Sequence, residues 1–267
     1  MKKYLSFFRL RFSMGLQYRA VALAGVATQF AWGFLEIMAY KAFYEADAGA
    51  FPMDFPAMVS YIWMQQAFLA FFAAWMMEED IFDSIVNGNI AYEMCRPVRI
   101  YNMWFSRSLA TRISRAVLRC FPILAAAVFL PEPYGIAPPA SAMHFVFFIF
   151  TLLLGLGVTV AFCMFVYVLA FFTISPQGLR IVFTSMVEFF AGAIIPLPFF
   201  PAKMQAVMEL LPFASMQNAA LRIYSGSMSG IQMQKAVILQ MLWLFILTTV
   251  GSLLCRYAEK KVTVQGG

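Results

Sequence analysis

Six long apolar runs divide this chain, and the basic residues between them gather on alternate connections. A helix crossing a bilayer needs about 20 apolar residues, so runs of this length leave little room for a soluble fold. They extend from Ala20 to Tyr44, Phe55 to Met77, Ile113 to Leu130, Ala142 to Ile174, Leu179 to Leu197 and Met233 to Arg256. Only 12% of the residues are charged and 63% are hydrophobic. A soluble domain carries about 25% charged residues. The reading is an all-α integral membrane protein, a six-transmembrane-helix bundle forming one domain over residues 1–267.

An even number of spans places both termini on one side. Of the 19 basic residues, fifteen then fall with the termini, among them Lys2, Lys3, Arg9, Arg96, Arg99, Arg107, Arg180 and Lys260. Lys41, Lys203, Arg222 and Lys235 fall on the other side. The positive-inside rule puts the termini in the cytoplasm. Splitting the long fourth run into two spans would move Arg180 outside and break the parity, so it is read as one tilted span. The net charge of +6 is therefore topological and gives no ground for a nucleic-acid partner.

Residues 1–19 read as an amphipathic helix. Lys2, Ser6, Arg9, Ser13 and Gln17 recur at helical spacing opposite Leu5, Phe8, Phe12 and Leu16. Such a helix suits the cytoplasmic membrane interface. A signal-peptide n-region is the competing reading, and the run that follows is too long for it. Small residues mark close helix contacts, at Gly155, Gly157 and Thr159 in the fourth span and at Ala20, Ala24 and Gly25 in the first. The four cysteines, Cys95, Cys120, Cys163 and Cys255, avoid the external loops, so no disulfide is expected.

Little points to intramembrane catalysis. The one histidine, His144, has no evident partner. No glycine precedes a lysine, which removes the P-loop and with it ATP hydrolysis by that route. No cofactor or metal site is expected, and the chain reads as a non-catalytic subunit. Two acids stand within spans, Glu36 and Glu188. Carboxylates at depth are costly and so are candidates for a transport path, or else for buried structural bonds.

Two connections stand out. After the second span, Ile81, Phe82, Ile85, Ile90, Tyr92 and Met94 accompany charges of both signs around an Asn87-Gly88 turn. That is more apolar surface than a solvated loop should expose, and it reads as a docking element. The external stretch from Gly192 to Gly226 carries Pro196, Pro198, Pro201 and Pro212. It is too broken to span as one helix and suits re-entrant or interfacial helices.

Several motifs carry a family resemblance. They are Tyr18-Arg19 with Thr28-Gln29-Phe30-Ala31-Trp32-Gly33, Asn87-Gly88-Asn89-Ile90-Ala91-Tyr92-Glu93 with Arg96-Pro97, and Gly192-Ala193-Ile194-Ile195-Pro196-Leu197 with Phe199-Phe200-Pro201 and Leu211-Pro212-Phe213. In this order the chain resembles the permease subunits of type-2 ABC exporters, and more narrowly a bacterial six-span group of ABC-type transport permeases. The resemblance implies an inner-membrane permease with three functional segments: an interfacial elbow helix at 1–19, a cytoplasmic coupling segment at 78–112 and external re-entrant helices at 198–226. It implies a separate ABC ATPase that touches Asp83, Asn87, Gly88, Asn89, Glu93 and Arg96. It also implies a second permease, a sister chain or another copy of this one, within the membrane lipids. The alternatives from the residues themselves are an ion-coupled secondary transporter or channel using Glu188, and an intramembrane enzyme. The cargo is left open.

Overall fold

The computed structural model describes residues 2–173 and 175–261. Ile174, expected to end the fourth span, and the extreme chain ends, expected in the cytoplasm, lie outside the described residues. Among the described residues the fold is all helix, with no strand.

α1 (Lys2–Leu16) is followed by α2 (Arg19–Ala46), which ends where the Asp47 carboxylate accepts the Gly49 and Ala50 N–H groups at 3.0 and 3.2 Å. α3 (Phe55–Ala67) starts with a proline in its first turn and runs back, continued by the single turn α4 (Leu69–Phe72). Two short helices follow, α5 (Glu79–Val86) and α6 (Ile90–Met94). α7 (Ile100–Phe129) and α8 (Ala142–Ala170) cross the bundle in opposite directions. Ser141 caps α8 by accepting the His144 N–H and also pairs with the His144 ring, which gives this histidine a local structural role. α9 (Pro176–Phe190) is short. α10 (Ala202–Leu210), α11 (Asn218–Tyr224) and the long α12 (Ile231–Lys261) complete the chain.

α8 is the central post. It is buried along most of its length and packs against α12, α11, α7, α4, α9 and α5. α2, α8 and α12 are each long and apolar enough to cross a membrane. α2 and α12 contain the expected first and sixth runs, and α8 covers the fourth as far as Ala170.

The other three runs differ from expectation. The second is not one helix: α3 and α4 give way to a 3-10 turn at Ala74–Met76. The break is held from outside, because the buried Arg112 donates from Nη1 to the carbonyls of Ala70 and Ala73 at 3.0 and 2.9 Å. The third run is only the second half of α7, which begins at Ile100 and is about 45 Å long. Its polar first half is helical because α1 lies along it. The fifth run stops at Phe190, where Gly192 takes φ +77°, a conformation that a residue with a side chain resists. At 15 residues α9 is about 22 Å long.

Beyond α9 the chain remains inside the bundle. Gln65 Nε2 donates to the Ala193 carbonyl at 2.9 Å, and Gln217 Nε2 reaches that of Ala191 at 3.4 Å. Gln240 of α12 donates to the carbonyls of both Thr151 and Ser215 at 2.9 Å. Gly155 lies against the Met216 carbonyl so closely that a Cβ there would collide with it. Gly157 meets Leu244 of α12, and Thr159 is buried. These three small residues do mark contacts. Ala20 and Ala24 are exposed, while Gly25 faces the Arg119 guanidinium.

A Gly155→Ala chain should be destabilised by overpacking, by about 1–3 kcal/mol. The backbone carbonyl it meets has no rotamer with which to yield. Thermal unfolding of the purified chain in detergent checks this: an unchanged midpoint would show that the segment around Met216 can retreat freely.

Candidate functional site

Two regions bring the expected functional residues together. The first is a cleft of about 670 Å³ among α2, α3, α7, α9 and the segments around Ala193 and Gln217. Both acids marked in the sequence line it, Glu36 from α2 and Glu188 from α9. Gln66 Nε2 donates to Glu36 Oε2 at 3.4 Å. Glu188 is half-buried, and its carboxylate makes no hydrogen bond or ion pair among the described residues. Gln29 is buried with neither amide atom partnered. Trp32 and Trp75 add exposed aromatic surface. The cleft thus offers two carboxylates, one unpartnered amide and two indoles at the depth of the apolar helices. That set can bind and release a polar or amphipathic molecule. Among the described residues no three His, Cys, Asp or Glu side chains come together to hold a metal ion.

The second region is the pair α5–α6. Its base is fixed to the bundle. Arg107 of α7 forms ion pairs with Glu78 and, at 2.6 Å, with Asp80. Thr111 donates to the other Glu78 oxygen at 3.3 Å. Arg180 at the start of α9 pairs with Glu79 at 2.8 Å. The Glu78 N–H donates to the Tyr167 hydroxyl of α8 at 2.5 Å, and Phe82 packs edge-on against that ring. These bonds tie the base of the unit to α7, α8 and α9.

Its tip is free. Asp83, Asn87, Gly88, Asn89 and Arg96 are exposed, and Gly88 takes φ +71°, as a tight Asn-Gly turn requires. α1 reaches the same place. Lys3 Nζ donates to the Pro97 carbonyl at 3.3 Å, and the Arg99 N–H donates to the Tyr4 hydroxyl at 3.0 Å. Tyr4 and Phe7 pack on the core, the polar face of α1 is exposed, and Leu5 stays uncovered.

Two expectations about this region need correction. Ile81, Phe82 and Ile90 are buried, so most of the apolar content serves to seat the unit on its own bundle. Val86, Tyr92 and Met94 remain as exposed apolar surface. Glu93 is not a free contact charge, because its Oε2 accepts the Trp104 indole N–H at 2.7 Å. Charge reversal there would break an internal bond.

Residues 30–266 match the family described as ABC-2 family transporter protein. The chain belongs to the ABC-2 transporter family. No curated protein matches it. Membership makes it a membrane transport component of the ABC class, a class whose energy comes from an ATPase partner. Reading this ABC-2 family member by charge alone finds Glu36 and Glu188 and passes over Gln29, Gln65, Gln66 and Gln217. Their signal was present all along, since an amide at membrane depth also needs a partner. In the sequence Arg107 and Arg112 count only toward the basic excess on the side of the termini, and their buried partners are set by packing that the charge pattern does not show.

Proposed function

We propose that this chain is the membrane-spanning permease subunit of a bacterial inner-membrane ABC exporter, with six passes and both termini in the cytoplasm. A second permease, sister chain or copy, closes the cleft lined by Glu36 and Glu188 into a transport path. A separate ATPase docks on α1 and the tip of α5–α6, at Asp83, Asn87, Gly88, Asn89 and Arg96. Glu93 holds that tip in shape from within.

One observation carries the reading: α1, far away in sequence, is hydrogen-bonded to the Pro97–Arg99 link that follows α6, at the end of the bundle where the basic residues concentrate. The positive-inside rule makes that end cytoplasmic. Residues 198–226 form the external re-entrant segment. α9 is shorter than the roughly 30 Å of hydrocarbon it would have to cross. Irregular backbone at that depth is tolerated where protein satisfies it, as Gln65 and Gln217 do for the carbonyls beyond α9. Family membership favours this reading over an ion-coupled carrier based on Glu188.

Gly88→Val gives the test. A β-branched residue cannot hold φ +71° without strain, and no atom lies near enough for a side chain there to disturb the packing. The variant should reach the membrane at wild-type abundance and lose at least ten-fold in co-purified ATPase. Wild-type ATPase recovery would remove the docking role of this turn.

A further inference from the structure

A second cleft, of about 600 Å³, opens between α1, the start of α2, α7 and the base of α5. Five arginines line it: Arg11, Arg107, Arg115, Arg119 and Arg180. The three acids on its wall are already engaged, Glu78 and Asp80 by Arg107 and Glu79 by Arg180. Arg11, Arg115 and Arg119 therefore face the cavity with no carboxylate partner among the described residues. Arg11 rests on the Phe7 ring, and the Arg119 Nε is buried without an acceptor. α2 begins at the same cleft with no side-chain cap, and the N-terminus of a 28-residue helix adds positive potential there. The rim is apolar: Met14, Tyr18, Val21 and Trp75 line the cleft and are exposed.

We propose that this cleft binds the phosphate headgroup of an anionic phospholipid, its acyl chains lying along the apolar rim. Guanidinium groups match a phosphodiester in charge and hydrogen-bond geometry. Basic pockets between helices at a membrane surface are where such headgroups bind. A free phosphate would satisfy the arginines and leave the exposed rim unused. Arg119 also lines the cleft holding Glu36 and Glu188, so the bound lipid sits beside the transport path. The proposal needs only the membrane setting of the bundle. Assigning the lipid to the cytoplasmic leaflet rests on the orientation proposed above.

The test uses the full chain, purified in non-ionic detergent with whatever subunits accompany it. Binding of phosphatidylglycerol is measured by native mass spectrometry and by lipid-dependent thermal shift. Arg115→Gln combined with Arg119→Gln should weaken binding roughly 30-fold, the effect of two headgroup contacts. Lys203→Gln with Lys235→Gln, the same charge change at the opposite end, should leave binding intact. Arg115→Lys with Arg119→Lys should retain most of it. If the first double variant does not assemble, Arg115→Gln alone carries the test with roughly a five-fold loss. Unchanged phosphatidylglycerol affinity in the arginine-to-glutamine variants overturns the proposal. So does equal affinity for phosphatidylcholine, or displacement of the lipid by millimolar inorganic phosphate, which would mark a free-phosphate site. ATPase recovery from the same preparations separates the two readings: lipid retained without ATPase leaves this proposal standing and sinks the exporter.

Discussion

An Arg112→Ala chain should lose its folded state in detergent while its messenger and synthesis are unaffected. Arg112 is 1% exposed and holds the carbonyls of Ala70 and Ala73, where the chain leaves helical geometry. Its second Nη donates to Cys163 of α8 at 3.3 Å. Alanine would leave the Ala70 carbonyl without a donor, the Ala73 carbonyl with only the Met76 N–H at 3.3 Å, and a cavity where the guanidinium was. An orphaned buried acceptor costs about 1–3 kcal/mol, and the cavity left by a large buried side chain adds a loss of similar size. Stability margins for whole domains are only about 5–15 kcal/mol, so the combined loss is large. Lysine should recover part of it, since an ammonium group offers one donor centre in place of a fork. The readout is the monodisperse fraction on size exclusion together with the unfolding midpoint. A wild-type profile for Arg112→Ala would mean that water satisfies the break between α4 and α5.

Removing one half of the Glu78–Arg107 pair should have the next largest effect. The side chains are 11% and 9% exposed, so neither is well screened by solvent. Breaking such a pair from one side costs about 3–5 kcal/mol, because the remaining charge stays buried. In Glu78→Ala, Asp80 cannot substitute fully, as its side chain is 75% exposed. The base of α5 should come loose while α2, α8 and α12 remain inserted. Limited proteolysis should then cut between residues 78 and 100, where the wild type resists. The double exchange Glu78→Arg with Arg107→Glu should recover only part of the protection, since Asp80 would then face a carboxylate. Full resistance of Glu78→Ala would show that Tyr167 and Phe82 hold the unit alone.

The parts legible in the sequence are those governed by local pattern. Runs of apolar residues gave α2, α8 and α12, and charge within the runs marked Glu36 and Glu188, which line one cleft. The break after α4 was not legible, because its cause is an arginine about forty positions away. The first half of α7 was missed because hydropathy reports where a helix is apolar, and Asn102, Arg107 and Arg112 are not. The α5–α6 surface was half legible. An amphipathic run shows that one face will be covered, and it does not say whether a partner or the chain's own core covers it. Ile81, Phe82 and Ile90 went to the core.

The contact of Gly155 with the Met216 carbonyl restricts how the molecule can work. Side-chain contacts can be re-formed in a new register, whereas backbone seated on backbone cannot slide without opening a void. Gln240 adds a second fastening by bonding α8 and the Ser215 segment at once. α8, α12 and residues 215–217 must therefore travel as one piece. The cleft's other wall, with α9 and the first helical hairpin, is joined to that piece by amide side chains and aromatic edges, which can exchange partners. An opening of the transport path proposed above would run along this seam, with residues 215–217 moving as part of the α8–α12 wall.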